Sequence, residues 1–239
     1  GYRPEQQIER VVGFSIDRGL SRIAGLAPDD AYGRRATASL RATVEAALGA
    51  ELVGTALYGG DAIDVGARID ELRGGAGADA LPPFDALVVA DGGERLRQVA
   101  QLLPRHAVDP VDVRVLGTRL WEDAPEVLAE PALRGGWFAG VPDEALRGFR
   151  SRFQEIYGRA PHPLAILGYD GLLVAADAAA APETAVQRIT EARGYQGEVG
   201  IFRLLPDGRT EHALAVFQLT QSGPVVIDPA PLRFVDEPS

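Results

Sequence analysis

The chain contains no cysteine, methionine, lysine or asparagine, so all 24 of its basic residues are arginine. Without cysteine it has no disulfide framework, no thiol nucleophile and no cysteine-ligated zinc. A chain of 239 residues can bury a core without such staples, which leaves the redox compartment open. Without lysine there is no Walker phosphate-binding loop. The abundance of Ala, Gly and Arg traces these gaps to codon usage rather than to chemistry. Long apolar runs are missing as well, and no stretch reaches the roughly 18 residues of a membrane span. The opening Gly1-Tyr2-Arg3-Pro4 resembles neither an initiator nor a signal segment, so the expectation is a chain that begins inside a longer one. A net charge of −10, with arginines spaced singly, gives no cationic face for phosphates, which argues against nucleic acid and anionic membranes as partners.

What is present is an ordinary globular composition, 46% hydrophobic and 24% charged, enough for one large domain or two lobes. Ile8, Val11, Val12 and Ile16 recur at helical spacing behind Pro4, which suits a first turn. An apolar strand over 21–27 follows, then a helix carrying Ala36, Leu40, Val44 and Ala47. The unit repeats as strand 51–58 with helix 62–72, and as strand 84–90 with helix 93–103, before a fourth strand over Val113–Leu116. Apolar strands alternating with amphipathic helices predict an α/β fold, a parallel Rossmann-like sheet flanked by helices on both faces.

After Gly140 the pattern changes. Pro142-Asp143-Glu144 opens an amphipathic helix closed by Gly158, and Pro161-His162-Pro163 breaks it. Residues 164–180 are apolar nearly all round, predicting a helix buried against another layer. A shorter helix over 183–192 ends at Gly194. The remainder reads as antiparallel β: strand 201–205, a Pro206-Asp207-Gly208 turn, strand 213–220, a Ser222-Gly223 turn and strand 225–227.

Ligands of an open parallel sheet sit beyond the carboxyl ends of its strands. The loops expected there carry Asp29, Asp30, Tyr32, Asp61, Asp91, Gly92, Thr118, Arg119 and Trp121, a set of hydrogen-bonding groups and aromatic faces suited to recognition. The same aspartates serve equally well as helix N-caps, and Trp121 and Trp137 as packing residues. Catalysis has less support. His106, His162 and His212 show no ligand spacing, no serine sits in a GxSxG elbow, and Gly75-x-Gly77-x-x-Ala80 follows a helix rather than a strand. The adjacent pairs Asp29-Asp30 and Glu122-Asp123 point apart and lack a nucleophile. No catalytic residue, metal or cofactor is expected.

The ordered segments PEQQIERVV at 4–12, RIAGLAPDDAYG at 22–33, FDALVVADGG at 84–93, VRVLGTRLW at 113–121, FRSRFQEIYGRAP at 149–161, AILGYDGLLVAADA at 165–178 and GEVGIFRLLPDGRTEHALAVFQL at 197–219 resemble type I periplasmic binding proteins of the leucine-binding kind. APDDAYG and LGTRLW most resemble the bacterial penicillin-binding-protein activator group. The resemblance implies a second lobe over 1–140, helices of the first lobe over 141–200 with that lobe only partly present, and a closing β hairpin and tail over 201–239. It also implies a non-enzymatic ABC-transporter receptor in the periplasm, lipid-anchored through an upstream segment. Its partners would be a small molecule, an amino acid or peptide-like ligand, and a membrane permease. The alternative is an activator that contacts a peptidoglycan synthase. Tyr32 matches the ligand-contacting tyrosine of amino-acid-binding relatives, and the implied ligand-binding set is Asp29, Tyr32, Asp91, Gly92, Thr118 and Trp121. The acidic residue used there for an ammonium group has no match in Thr118-Arg119-Leu120-Trp121, nor has the aromatic expected at Asp91-Gly92, which speaks against a leucine-like ligand.

Overall fold

The structure, a computed structural model, describes residues 3–75, 80–122, 129–162, 165–198 and 200–234. The Gly75–Ala80 glycine cluster, Asp123 and Pro163 therefore fall wholly or partly outside the described residues. The chain divides into two compact units. The large one comprises Arg3–Gly140 and Val216–Ile227; the small one is built mainly from Val141–Ala215.

The large unit holds a seven-stranded sheet in the order β10-β9-β5-β4-β3-β1-β2. Its strands are β1 (Arg22–Pro28), β2 (Glu51–Tyr58), β3 (Ala86–Val89), β4 (Arg114–Gly117), β5 (Trp137–Gly140), β9 (Ala215–Thr220) and β10 (Gly223–Asp228). β1 pairs in parallel with both β2 and β3, β3 with β4, and β4 with β5. The helices are α1 (Pro4–Asp17), α2 (Ala31–Ala46), α3 (Ala62–Leu72) and α4 (Gly93–Leu102). The outward step from β1 to β2 and the return step to β3 have opposite senses. Right-handed crossovers therefore put α2 on one face and α3 with α4 on the other. α1 packs on α2, and α3 on α4. α1 buries Ile8, Val11 and Val12 of its predicted stripe and leaves Ile16 half-buried; α2 buries Ala36, Leu40 and Val44, with Ala47 half-buried as its C-cap; α3 buries Val65, Ile69 and Leu72, and α4 buries Leu96, Val99 and Ala100. This is the parallel sheet flanked by helices that the alternating pattern implies.

The small unit contains α5 (Asp143–Tyr157), α6 (Ala165–Ala180) and α7 (Ala185–Ile189). An antiparallel sheet of β6 (Tyr195–Gly197), β7 (Gly200–Leu204) and β8 (Thr210–His212) completes it. Gly158 closes α5 at φ 66, a left-handed C-cap that glycine adopts without strain. Phe149 of α5 meets Tyr169 of α6 edge-on, with ring centroids 5.9 Å apart.

Three expectations need correction here. The strand read as 213–220 is β9, which starts at Ala215 and joins the large sheet; across the Pro206-Asp207-Gly208 turn β7 pairs instead with β8, a short strand at Thr210–His212 that the residue pattern does not mark. β8 is the polar stretch Thr210-Glu211-His212, whose hydropathy does not announce a strand, and the apolar run that follows belongs to β9. The helix expected over 183–192 shrinks to a 3-10 turn at Pro182–Thr184 and the short α7. α6 buries only the stripe Ile166, Asp170 and Val174, while Tyr169, Leu172 and Leu173 are 47%, 66% and 39% exposed. No single helix among the described residues is long and apolar enough to cross a membrane.

Candidate functional site

Because β1 to β4 run the same way, the loops that leave their carboxyl ends gather along one edge of the sheet. The Asp29 N–H donates to the Tyr58 carbonyl at 2.9 Å, which ties the end of β1 to the end of β2. Asp30 caps α2, its Oδ1 accepting from the Gly33 N–H at 2.9 Å. The cap sets the first turn of α2, which carries Tyr32. The Tyr32 hydroxyl donates to Thr118 Oγ1 at 2.8 Å, joining this turn to the loop after β4. Burial pushes the Tyr32 phenol above its ordinary pKa, partly offset by that bond. Thr118 is fully buried.

Asp91, at the end of β3, is 2% exposed and is satisfied by three donors. Its own Gly92 N–H lies at 2.8 Å, the Tyr58 hydroxyl donates to Oδ2, and the Arg95 guanidinium donates to Oδ1 at 3.0 Å. Burial, then the bond to the Asp91 carboxylate, pushes the Tyr58 phenol far above its usual value, so it stays a neutral donor. The Arg95 side chain is half exposed and also lies 3.6 Å from Asp30. Gly92 starts α4 as its N-cap, and a Cβ there would come within 2.7 Å of Leu120 Cβ. That close approach draws the loops after β3 and β4 together.

The edge thus brings together five of the six residues singled out from the sequence: Asp29, Tyr32, Asp91, Gly92 and Thr118. Trp121 follows the same edge but is fully buried. A Cβ at Gly117 would come within 2.0 Å of its indole, and its ring packs on Phe138 at 6.0 Å. The tryptophan therefore supports the rim from beneath, its packing role winning because small residues leave room for it. The pair Asp29-Asp30 does diverge: Asp29 pairs with Arg34, while Asp30 caps α2.

Sequence reasoning passed over Tyr58 and Arg95. Tyr58 is the last residue of a recognised strand, at the same end as the other site residues, and Arg95 stands four residues after Asp91 on a helix, the spacing of an ion pair. Gln7 was also passed over; its Oε1 accepts from the Arg119 N–H at 2.7 Å, anchoring the loop after β4 to α1. The histidines are elsewhere. His106 Nδ1 lies 2.8 Å from Asp70 Oδ1, and His212 stacks on Phe202 at 5.7 Å. Among the described residues no group of three or more His, Asp or Glu is placed to hold a metal ion.

With this geometry established, comparison places the chain among known proteins. The family model described as "Periplasmic binding protein" matches residues 1–224. No curated protein matches. A branched-chain amino acid ABC transporter periplasmic ligand-binding protein from Burkholderia xenovorans superposes with a TM-score of 0.71 at 18% identity, over 93% of this chain and 62% of that one. An R. palustris ABC-transporter solute-binding protein in complex with benzoate gives 0.65 at 16%, over 98% and 65%. A leucine-binding protein from Thermotoga maritima gives 0.62 at 18%, over 93% and 64%. The chain thus spans less than two thirds of the length of each, and at these identities the likeness is one of fold. Taken with the family match over nearly its whole length, the chain belongs to the periplasmic binding protein family, with the type I fold.

Proposed function

We propose that the chain is the ligand-binding part of a periplasmic solute receptor, and that the rim at the carboxyl ends of β1 to β4 is where the large unit meets that solute. The observation that carries the reading is a pair of hydroxyl links, Tyr32 to Thr118 and Tyr58 to Asp91. They join loops from four strands into one fixed edge, and a binding surface held rigid in advance loses less entropy when a ligand arrives.

The charges on that edge indicate the kind of ligand. Asp91 is saturated by its donors, whereas Asp29, Asp30 and Arg95 keep side chains 54%, 44% and 52% exposed. A small molecule carrying an acidic group, an ammonium group or both, such as an amino acid or a peptide-like acid, finds a counter-charge in this set. In this proposal Asp29, Tyr32, Asp91, Gly92, Thr118 and Trp121 form the site, with Trp121 acting through packing and Arg95 as the addition made by geometry. The full-length protein would work in the periplasm, held by an upstream lipid anchor, and hand its solute to a membrane permease. The penicillin-binding-protein activator reading predicts a synthase as partner instead.

The test is thermal denaturation of the full-length protein against amino acids, short peptides and benzoates. A ligand at about 100 times its Kd stabilises the folded state by about 2.7 kcal/mol. A rise in Tm that Asp91→Ala or Tyr32→Phe diminishes supports the rim; no response to any member of the panel overturns the receptor reading. Affinity capture from membranes separates the partners, since a receptor retains a permease and an activator a synthase.

A further inference from the structure

The small unit contains a cavity of about 240 Å³ between α6 and the β7–β8 hairpin. Leu167 and Val174 of α6 and Phe202 and Leu204 of β7 supply its apolar wall. Asp170 of α6 and His212 of β8 supply polar groups. Asp170 is 3% exposed. Its Oδ1 accepts from the Glu198 N–H at 2.9 Å, but its Oδ2 is buried and has no hydrogen-bond partner among the described residues. A Cβ at Gly197 would come within 2.7 Å of that oxygen, so only a glycine there lets the backbone approach the carboxylate so closely.

A buried carboxylate oxygen without a donor is unusual, because desolvation is then uncompensated. Among the described residues no arginine lines this cavity, and the Glu198 carboxylate turns to Arg152. Burial raises the pKa of Asp170 and holds His212 down to about 4, so the imidazole is neutral at pH 7 and brings no positive charge. A cation small enough to fit would supply the donor that Oδ2 lacks and hold the carboxylate ionised against its burial. A cavity of roughly 150 Å³ holds benzene; the volume here takes one ring or short alkyl chain with an ammonium group. We propose that this cavity is a binding site for a small hydrophobic amine, its ammonium donating to Asp170 Oδ2 and its hydrocarbon body lying against Leu167, Val174, Phe202 and Leu204. The site is built entirely from the small unit and is independent of the rim.

The test is titration calorimetry of the full-length protein at pH 7 with benzylamine, and with toluene and benzoate as shape-matched probes lacking the cation. Benzylamine is expected to bind at least tenfold more tightly than toluene, with benzoate silent. Asp170→Asn keeps the acceptor for Glu198 and is expected to weaken benzylamine at least tenfold. Gly171 lines the cavity with open space at its Cβ position, so Gly171→Leu fills it on a residue type that favours helix; binding is expected to vanish while Tm is retained. Thr118→Val, on the rim, is expected to leave benzylamine affinity unchanged. No benzylamine binding, equal binding by Asp170→Asn, or a Gly171→Leu variant that folds and still binds would each overturn the site.

Discussion

The Tyr32 hydroxyl donates to Thr118 Oγ1 across 86 residues of sequence, and this bond joins the first turn of α2 to the loop that follows β4. Thr118 is fully buried, so its hydroxyl has no access to water if the tyrosine loses its own. Tyr32→Phe is therefore expected to cost about 1 kcal/mol in urea denaturation. Thr118→Val should cost a similar amount. In a double-mutant cycle the two losses should fall short of additive by about 0.5–1 kcal/mol, because one bond is removed twice. Strict additivity would show that the bond contributes nothing.

Removing the acceptor at Asp91 should do more. Asp91→Ala leaves the buried Tyr58 hydroxyl and the Gly92 N–H without an acceptor and frees Arg95. Because Arg95 is half exposed, water compensates it, and the expected loss is about 2–3 kcal/mol rather than the larger cost of stranding a fully buried charge. Asp91→Asn, which keeps one acceptor oxygen, should cost less. Guanidinium denaturation of both variants checks the order.

Trp121 and Trp137 offer a spectroscopic check on packing. Trp121 is fully buried, whereas Trp137 is only half-buried at the sheet, with Arg114 over its ring at 4.9 Å. In a Trp137→Phe variant the remaining emission should be short in wavelength and resist iodide quenching. Trp121→Ala should cost about 3–5 kcal/mol, the toll of emptying a large core position. Easy quenching of Trp121 would place its ring on the surface and return it to direct ligand contact.

The small unit should weaken in acid through His212. Burial holds its folded-state pKa at about 4, against 6.5 for a free imidazole. As pH falls below about 6.5, the unfolded chain takes up a proton that the folded state refuses until about pH 4. The contribution is thus complete above pH 6.5 and is lost between 6.5 and 4, in total about 3 kcal/mol. His212→Gln should flatten that slope, read from denaturation midpoints across the range; an unchanged slope would assign the acid sensitivity to carboxylates.

The elements of the large unit were legible where one residue pattern served both local and global structure. α3 spans Ala62–Leu72 as its apolar spacing implied, and Asp61 caps it by accepting from the Asp64 N–H. The site was legible only in part. Asp91 stood out as an acid after a strand, but its partners Tyr58 and Arg95 did not, since the link to Tyr58 depends on how strands are ordered in space, with β1 lying between β2 and β3. Trp121 had two equal readings until Gly117 was seen to make room for its ring. α6 misled for a related reason: hydropathy records that a helix tolerates burial on every side, not which sides this chain covers.

The chain leaves the large sheet after β5 at Gly140 and re-enters it with β9, the strand beside β5. Everything between is an excursion whose two ends are moored to adjoining strands, with Phe138 and Phe217 stacked across them at 5.2 Å. Continuity of the polypeptide is then not what keeps β9 and β10 in position; backbone bonds such as Gly135 N–H to the Leu219 carbonyl, at 2.8 Å, and the aromatic stack are. A protease that nicks the excursion once should leave two fragments that elute together in native buffer and part only in denaturant.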